Sequence, residues 1–224
     1  METKHVLVVA VTDAYPGAVC VGAMATDGEP VRLVLRDFHH HFFPADRAPA
    51  PGAILDITGR HSNDLELPHV EDFVVDDWSE IRAIQDSEVA RLVREWAVNH
   101  SADGRLLDTF DGRLTRIENS VVLLPGYTPP RFSVWFWTAD QEIPIRKDAR
   151  GGVHAYVETG RASNSQYDHP ASVPMKSLDA GAWADQTIPG GALLRLSLGR
   201  PWKEGKPSDA CWLQISGVLG MGPA

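Results

Sequence analysis

The chain has 224 residues, 43% of them hydrophobic and 23% charged, and carries a net charge of −9. That length can bury a real core as one domain or two without a disulfide or metal staple, and no apolar run approaches the ~18 residues of a membrane-spanning helix. Residues 1–5 pass directly into an apolar run at 6–11 without the long hydrophobic region and cleavage site of a secretory signal, so a cytoplasmic location and no membrane association are expected.

The charge is unevenly spread. Residues 1–125 hold 11 basic and 21 acidic side chains, whereas 126–224 hold 10 and 9, so contact with a phosphate backbone is expected of the second half. The two cysteines, Cys20 and Cys211, sit among β-type apolar residues and not in a close pair. That excludes zinc ribbons and redox motifs and reads as two buried thiols packing as small hydrophobes.

The chain opens with strands at 5–11, 18–25 and 31–35, separated by Asp13-Ala14-Tyr15-Pro16-Gly17 and Asp27-Gly28-Glu29-Pro30. Both spacers are rich in turn formers, which predicts a β-meander. After a loop with Pro44, Pro49 and Pro51, residues 53–59 read as a fourth strand returning to the opening sheet, giving a first β unit over 1–75. The triplet His39-His40-His41, with His61 and His69 beyond it, invites a metal reading. Neighbours in an extended chain point to opposite sides and no ligand spacing completes a site, so a polar loop or subunit contact is expected, with no metal and no cofactor.

Between Asp56 and Glu88 there are ten acids and only two bases, Arg60 and Arg82. The pattern then changes. Val89, Leu92, Val93 and Trp96 recur at helical spacing behind Asp86 or Ser87 as N-cap, predicting a helix over 87–98 that buries one face between two β units. Ser101-Ala102-Asp103-Gly104 is a stop signal and Asp111-Gly112 a further turn, so 76–119 reads as a helical connector.

A second β unit is expected over 120–219, followed by a mobile tail at 220–224. Its strands are an apolar stretch at 120–124 and five segments at 131–138, 142–145, 153–158, 192–198 and 211–219. A two-residue period across 131–137 puts Phe132, Val134 and Phe136 on a core face and Arg131, Ser133, Trp135 and Trp137 on the other. A cation beside two indoles suits bases that stack while a guanidinium meets phosphate, although aromatics in strands also serve packing. Arg146, Lys147 and Arg150 before Gly151-Gly152 form a basic loop, and Arg200, Trp202 and Lys203 repeat the mixture of cations and an aromatic.

The opening strand–turn–strand at 8–22 with its Val19-Cys20-Val21-Gly22, the segment Glu71-Asp72-Phe73-Val74-Val75-Asp76-Asp77-Trp78, and the ending Leu196-Ser197-Leu198-Gly199 followed by Cys211-Trp212-Leu213-Gln214-Ile215-Ser216-Gly217 resemble the bacterial dual OB domain-containing proteins. The likeness covers most of the chain. It departs at Glu29-Pro30-Val31-Arg32-Leu33-Val34, where similar proteins often carry a tryptophan and a proline around the arginine. The resemblance implies a mainly β fold of two small OB-like β-barrels joined by a short helical connector. It also implies a link to nucleic-acid transactions, modification or bacterial defence, and supplies no catalytic residues.

The leading reading is a non-catalytic protein that binds short single-stranded nucleic acid or a nucleotide on the aromatic and basic face of the second barrel, through Arg131, Trp135, Trp137, Arg146, Lys147, Arg150, Arg200, Trp202 and Lys203. The alternative is a protein-interaction module whose acidic face, with Glu71, Asp72, Asp76 and Asp77, meets a basic partner while strand edges promote homo-oligomers. A third reading, an enzyme acting on nucleic acid, would use Tyr167, Asp168 and His169.

Overall fold

The computed structural model describes residues 1–35, 42–63, 68–99, 101–124, 132–159, 169–200 and 210–222. The fold is mainly β, in two units. The first contains β1 (Glu2–Tyr15), β2 (Ala18–Ala25), β3 (Pro30–Leu35), β4 (Phe43–Pro44), β5 (Ala53–His61) and β6 (Asp72–Ala83). Its sheet runs β1-β5-β6-β3-β2-β4, and β1 also pairs with β2, so β1, β5, β6, β3 and β2 close into a five-stranded barrel. Closure removes the exposed edges that an open sheet would present.

The apolar run at the start of β1 has a specific cause. Val6 and Val8 point into the barrel with Val21, Leu33, Leu55 and Phe73, whereas Leu7 and Val9 join a separate core outside it. A strand buried on both faces needs apolar residues without alternation.

β6 was not expected as a strand, and its Asp76, Asp77 and Glu80 are exposed. It is nevertheless paired along its length with β5 and, through residues 72–75, with β3. Backbone hydrogen bonds within a closing barrel therefore hold an acidic stretch that no apolar periodicity announces. Gly59 permits this pairing: a Cβ there would lie 2.0 Å from the Val74 carbonyl oxygen, beside a register shift at Thr58/Gly59.

Helix α1 (Asp86–Trp96) follows, with Val89, Ala90 and Val93 buried and Asp86 and Glu88 in its first turn, where carboxylates complement the helix dipole. Its N-cap is Gln85 and makes no side-chain cap bond, unlike the Asp86 or Ser87 cap expected. Leu7, Val9 and Met24 of the first unit, Val89, Val93 and Ala97, and Val134, Phe136, Leu193 and Leu219 of the second form one core cluster. The helix and both units thus share buried surface, as the helical stripe implied.

The second unit comprises β7 (Ser101–Gly104), β8 (Leu114–Ile117), β9 (Ser120–Leu123), β10 (Val134–Ala139), β11 (Ile143–Lys147), β12 (Val153–Val157), β13 (Ala171–Pro174), β14 (Thr187–Ile188), β15 (Leu193–Leu198) and β16 (Cys211–Leu219). Two of these strands, β7 and β8, lie within the stretch expected to be a helical connector. One sheet runs β7-β10-β15-β16-β9-β8 and another β13-β12-β11-β14, and a bridge between Met175 and Ile215 brings them together. Their shared core holds Trp137, Ile143, Ile145, Ala155, Val173, Leu196 and Leu213. Among the described residues no helix is long and apolar enough to cross a membrane.

Candidate nucleic-acid interface

The expected stacking face on β10 is a wall between cores. The alternation itself holds, but both sides are buried: Val134 and Phe136 face the core shared with α1 and the first unit, and Trp137 faces the interior of the second. Trp137 is 0% exposed and donates its indole N–H to the Gly104 carbonyl at 2.7 Å. Trp135 is partly buried against the same core, its ring 5.5 Å from that of Phe110. Neither indole forms an open stacking platform, because a strand between two cores has no solvent face. Arg131, Trp202 and Lys203 lie outside the described residues, as do His39, His40, His41, Tyr167 and Asp168.

The outer face of β11, β12 and β13 carries a cation beside an aromatic ring. Ile143, Ile145, Ala155, Val157, Ala171 and Val173 point inward, and period two turns Arg146, His154, Tyr156 and Ser172 outward. The register sets Arg146 opposite His154 and Tyr156 opposite Ser172. These side chains line an open groove of about 670 Å³ that also takes in Trp212 of β16. The Arg146 guanidinium lies over the Tyr156 ring, 5.6 Å from its centroid, a cation–π arrangement that leaves the cation exposed.

The hairpin carrying Arg146, Lys147 and Arg150 is held by one carboxylate. Asp148 Oδ1 accepts the backbone N–H of Gly152 at 2.7 Å and of Arg150 at 2.8 Å. These two bonds, with His154 nearby, hold the Asp148 carboxyl below the ordinary range. Asp148 Oδ2 is 3.2 Å from His154 Nε2, and His154 Nδ1 is 2.9 Å from the Ser172 hydroxyl, so the ring is positioned from both sides. Gly151 turns the chain at φ +84°. All three predicted cations of this loop are exposed, and Arg146 lines the groove itself. His169 lies at the groove edge with Nδ1 2.7 Å from Arg116 Nη2.

Arg200 belongs elsewhere. It lines a second cavity, of about 330 Å³, between the two units, with Cys20, Arg32, Glu71, Ser133 and Arg195. Glu71 is 2% exposed and accepts hydrogen bonds from both the Ser133 backbone N–H, at 3.0 Å, and the Ser133 hydroxyl. Burial alone would raise its carboxyl, but His69 and the two Ser133 bonds outweigh that and hold it at about 2. Asp72 takes Arg32 in two bonds of 2.5 Å. The acidic face expected to meet a basic partner therefore loses Glu71 and Asp72 to the interior, while Asp76 and Asp77 stay exposed. Cys20 and Cys211 are both free thiols, and burial raises each.

A family model described as the dual OB-containing domain matches residues 4–218. The chain belongs to the dual OB-containing domain family. Neither the characterised proteins nor the solved structures contain a match. In this dual OB chain the groove lies on the outside of a small β-barrel-like unit, the kind of surface on which OB folds commonly take oligonucleotides. Tyr156 and Trp212 line the groove although the sequence pattern alone does not single them out for it. The alternation in Val153-His154-Ala155-Tyr156-Val157 marks Tyr156 as outward, but only strand pairing brings it beneath Arg146.

Proposed function

We propose that this dual OB protein is a non-catalytic binder of short single-stranded nucleic acid or of a nucleotide, and that the ligand lies in the outer groove of the second unit. The observation that carries the reading is the Arg146 guanidinium over Tyr156 at the rim of a cavity also lined by Trp212. Aromatic faces accept bases of any sequence, and exposed guanidinium and ammonium groups meet the phosphates between them. Lys147 and Arg150 extend the cationic rim along the same hairpin. The acidic first half repels a long duplex, which favours a short strand. The setting, nucleic-acid modification or bacterial defence, is read from the family resemblance alone.

Titration of the full chain with short oligo(dT) and oligo(U) at two salt concentrations, followed by tryptophan fluorescence, tests the reading. Saturable quenching that weakens with salt and is lost in Arg146→Ala/Tyr156→Ala supports it. Unchanged affinity in that double variant overturns the groove assignment.

A further inference from the structure

The cavity between the two units contains a buried cation whose hydrogen bonding is incomplete. Arg195, on β15, is 6% exposed. Its Nη1 donates to Ser216 Oγ at 2.7 Å, while its Nε is buried without a hydrogen-bond partner. Burial pulls its guanidinium down to about 10, against the attraction of Glu71 and Cys20. The first unit makes room for it: a Cβ on Gly22 would lie 2.3 Å from Arg195 Nη2, so only a bare backbone lets β2 approach this closely.

The two buried acids nearby are already engaged. Asp72 is taken by both arms of Arg32, and Glu71 by Ser133. Among the described residues no carboxylate forms an ion pair with Arg195. A guanidinium taken out of water is normally matched by a carboxylate, a phosphate or a full set of acceptors. Two more cations face the same space: Lys176 and Arg200 are exposed and line the cavity, whose lining acids are Asp13 and Glu71.

We propose that the cavity between the two units is a second binding site, separate from the outer groove, for a small phosphate-bearing anion of nucleoside monophosphate size. The phosphate is drawn in by Lys176 and Arg200 and meets the Arg195 guanidinium where it lines the cavity. Its oxygens suit the planar fork of a guanidinium, and about 330 Å³ lies within the usual range of small-ligand sites. Because residues of both units line the cavity, an occupant bridges them and ties their relative placement to ligand binding.

Isothermal titration calorimetry of the full chain with inorganic phosphate, with adenosine monophosphate and with citrate as a carboxylate control tests the proposal. Saturable binding of phosphate and the monophosphate is expected, with citrate weaker. Lys176→Ala/Arg200→Ala, at two exposed positions, is expected to weaken both by tenfold or more, and Arg195→Lys to weaken them further. Arg146→Ala is expected to leave them unchanged. Absence of saturable phosphate and monophosphate binding at millimolar concentration overturns the proposal. So does affinity unchanged in the Lys176/Arg200 variant, or affinity lost in Arg146→Ala, which would put the anion in the outer groove.

Discussion

Glu71, immediately before the long acidic strand β6 of the first unit, is held by Ser133 of the second through both the backbone N–H and the hydroxyl of that serine. The two residues are 62 positions apart, and their contact joins the units by a charge-assisted pair at a buried site. His69 Nδ1 stands 3.0 Å from the same Ser133 hydroxyl, so the serine is fixed from two sides.

The Glu71 contact makes the fold sensitive to acid. Its carboxyl is depressed from 4.5 to about 2 in the folded chain, so its contribution is complete above the unfolded value and is lost as pH falls from about 4.5 toward 2. Glu71→Gln is expected to cost about 2 kcal/mol at neutral pH and to flatten the stability profile across that window. Urea unfolding at a series of pH values reads both effects, and a profile as steep as that of the parent would refute the assignment.

His69 acts over a different range. Burial, reinforced by Arg32, lowers its pKa from 6.5 despite the opposing pull of Glu71. A base depressed on folding binds its proton more readily in the unfolded chain, so stability is full above about 6.5 and declines as pH falls through that value. His69→Gln is expected to remove this decline, visible as a melting temperature that no longer drops between pH 7 and pH 5.5.

Trp137 and Arg146 separate packing from binding. Trp137→Ala should cost roughly 3–5 kcal/mol, because it empties a fully buried site in the second core. Trp137→Phe should keep the fold at a cost of about 1 kcal/mol for the indole bond to Gly104 and leave oligonucleotide affinity unchanged. Arg146→Ala should do the reverse, with thermal stability held and affinity reduced. A parallel loss of binding in Trp137→Phe would return the stacking role to β10.

Gly59 tests the closure of the first barrel. A methyl group there meets the Val74 carbonyl, a backbone atom that cannot turn aside, so Gly59→Ala is expected to destabilise the chain by about 1–3 kcal/mol. Chemical denaturation measures it. Gly104, where an added Cβ meets nothing within 4 Å, is a contrasting site whose cost comes only from its φ of +102°.

Read alone, the amino-acid sequence determined the β class, two units with a helix between them, and most strands whose apolar residues are dense enough to show a period. The family likeness was legible in its opening and closing strands and in the run from Glu71 to Trp78, and the exposed cations of the β11–β12 hairpin in the residues before Gly151-Gly152. Tertiary structure decided which side of each strand meets water. Period two separates the faces of β10 but cannot say that both are covered, because α1 and the first unit arrive from distant parts of the chain. It likewise decided that β6 is a strand, since its hold comes from backbone pairing with β5 and β3, which leaves no mark in side-chain pattern. The Arg146–Tyr156 face and the cavity around Arg195 are products of strand register and of packing between units, interactions that act through space at separations where local sequence carries no signal.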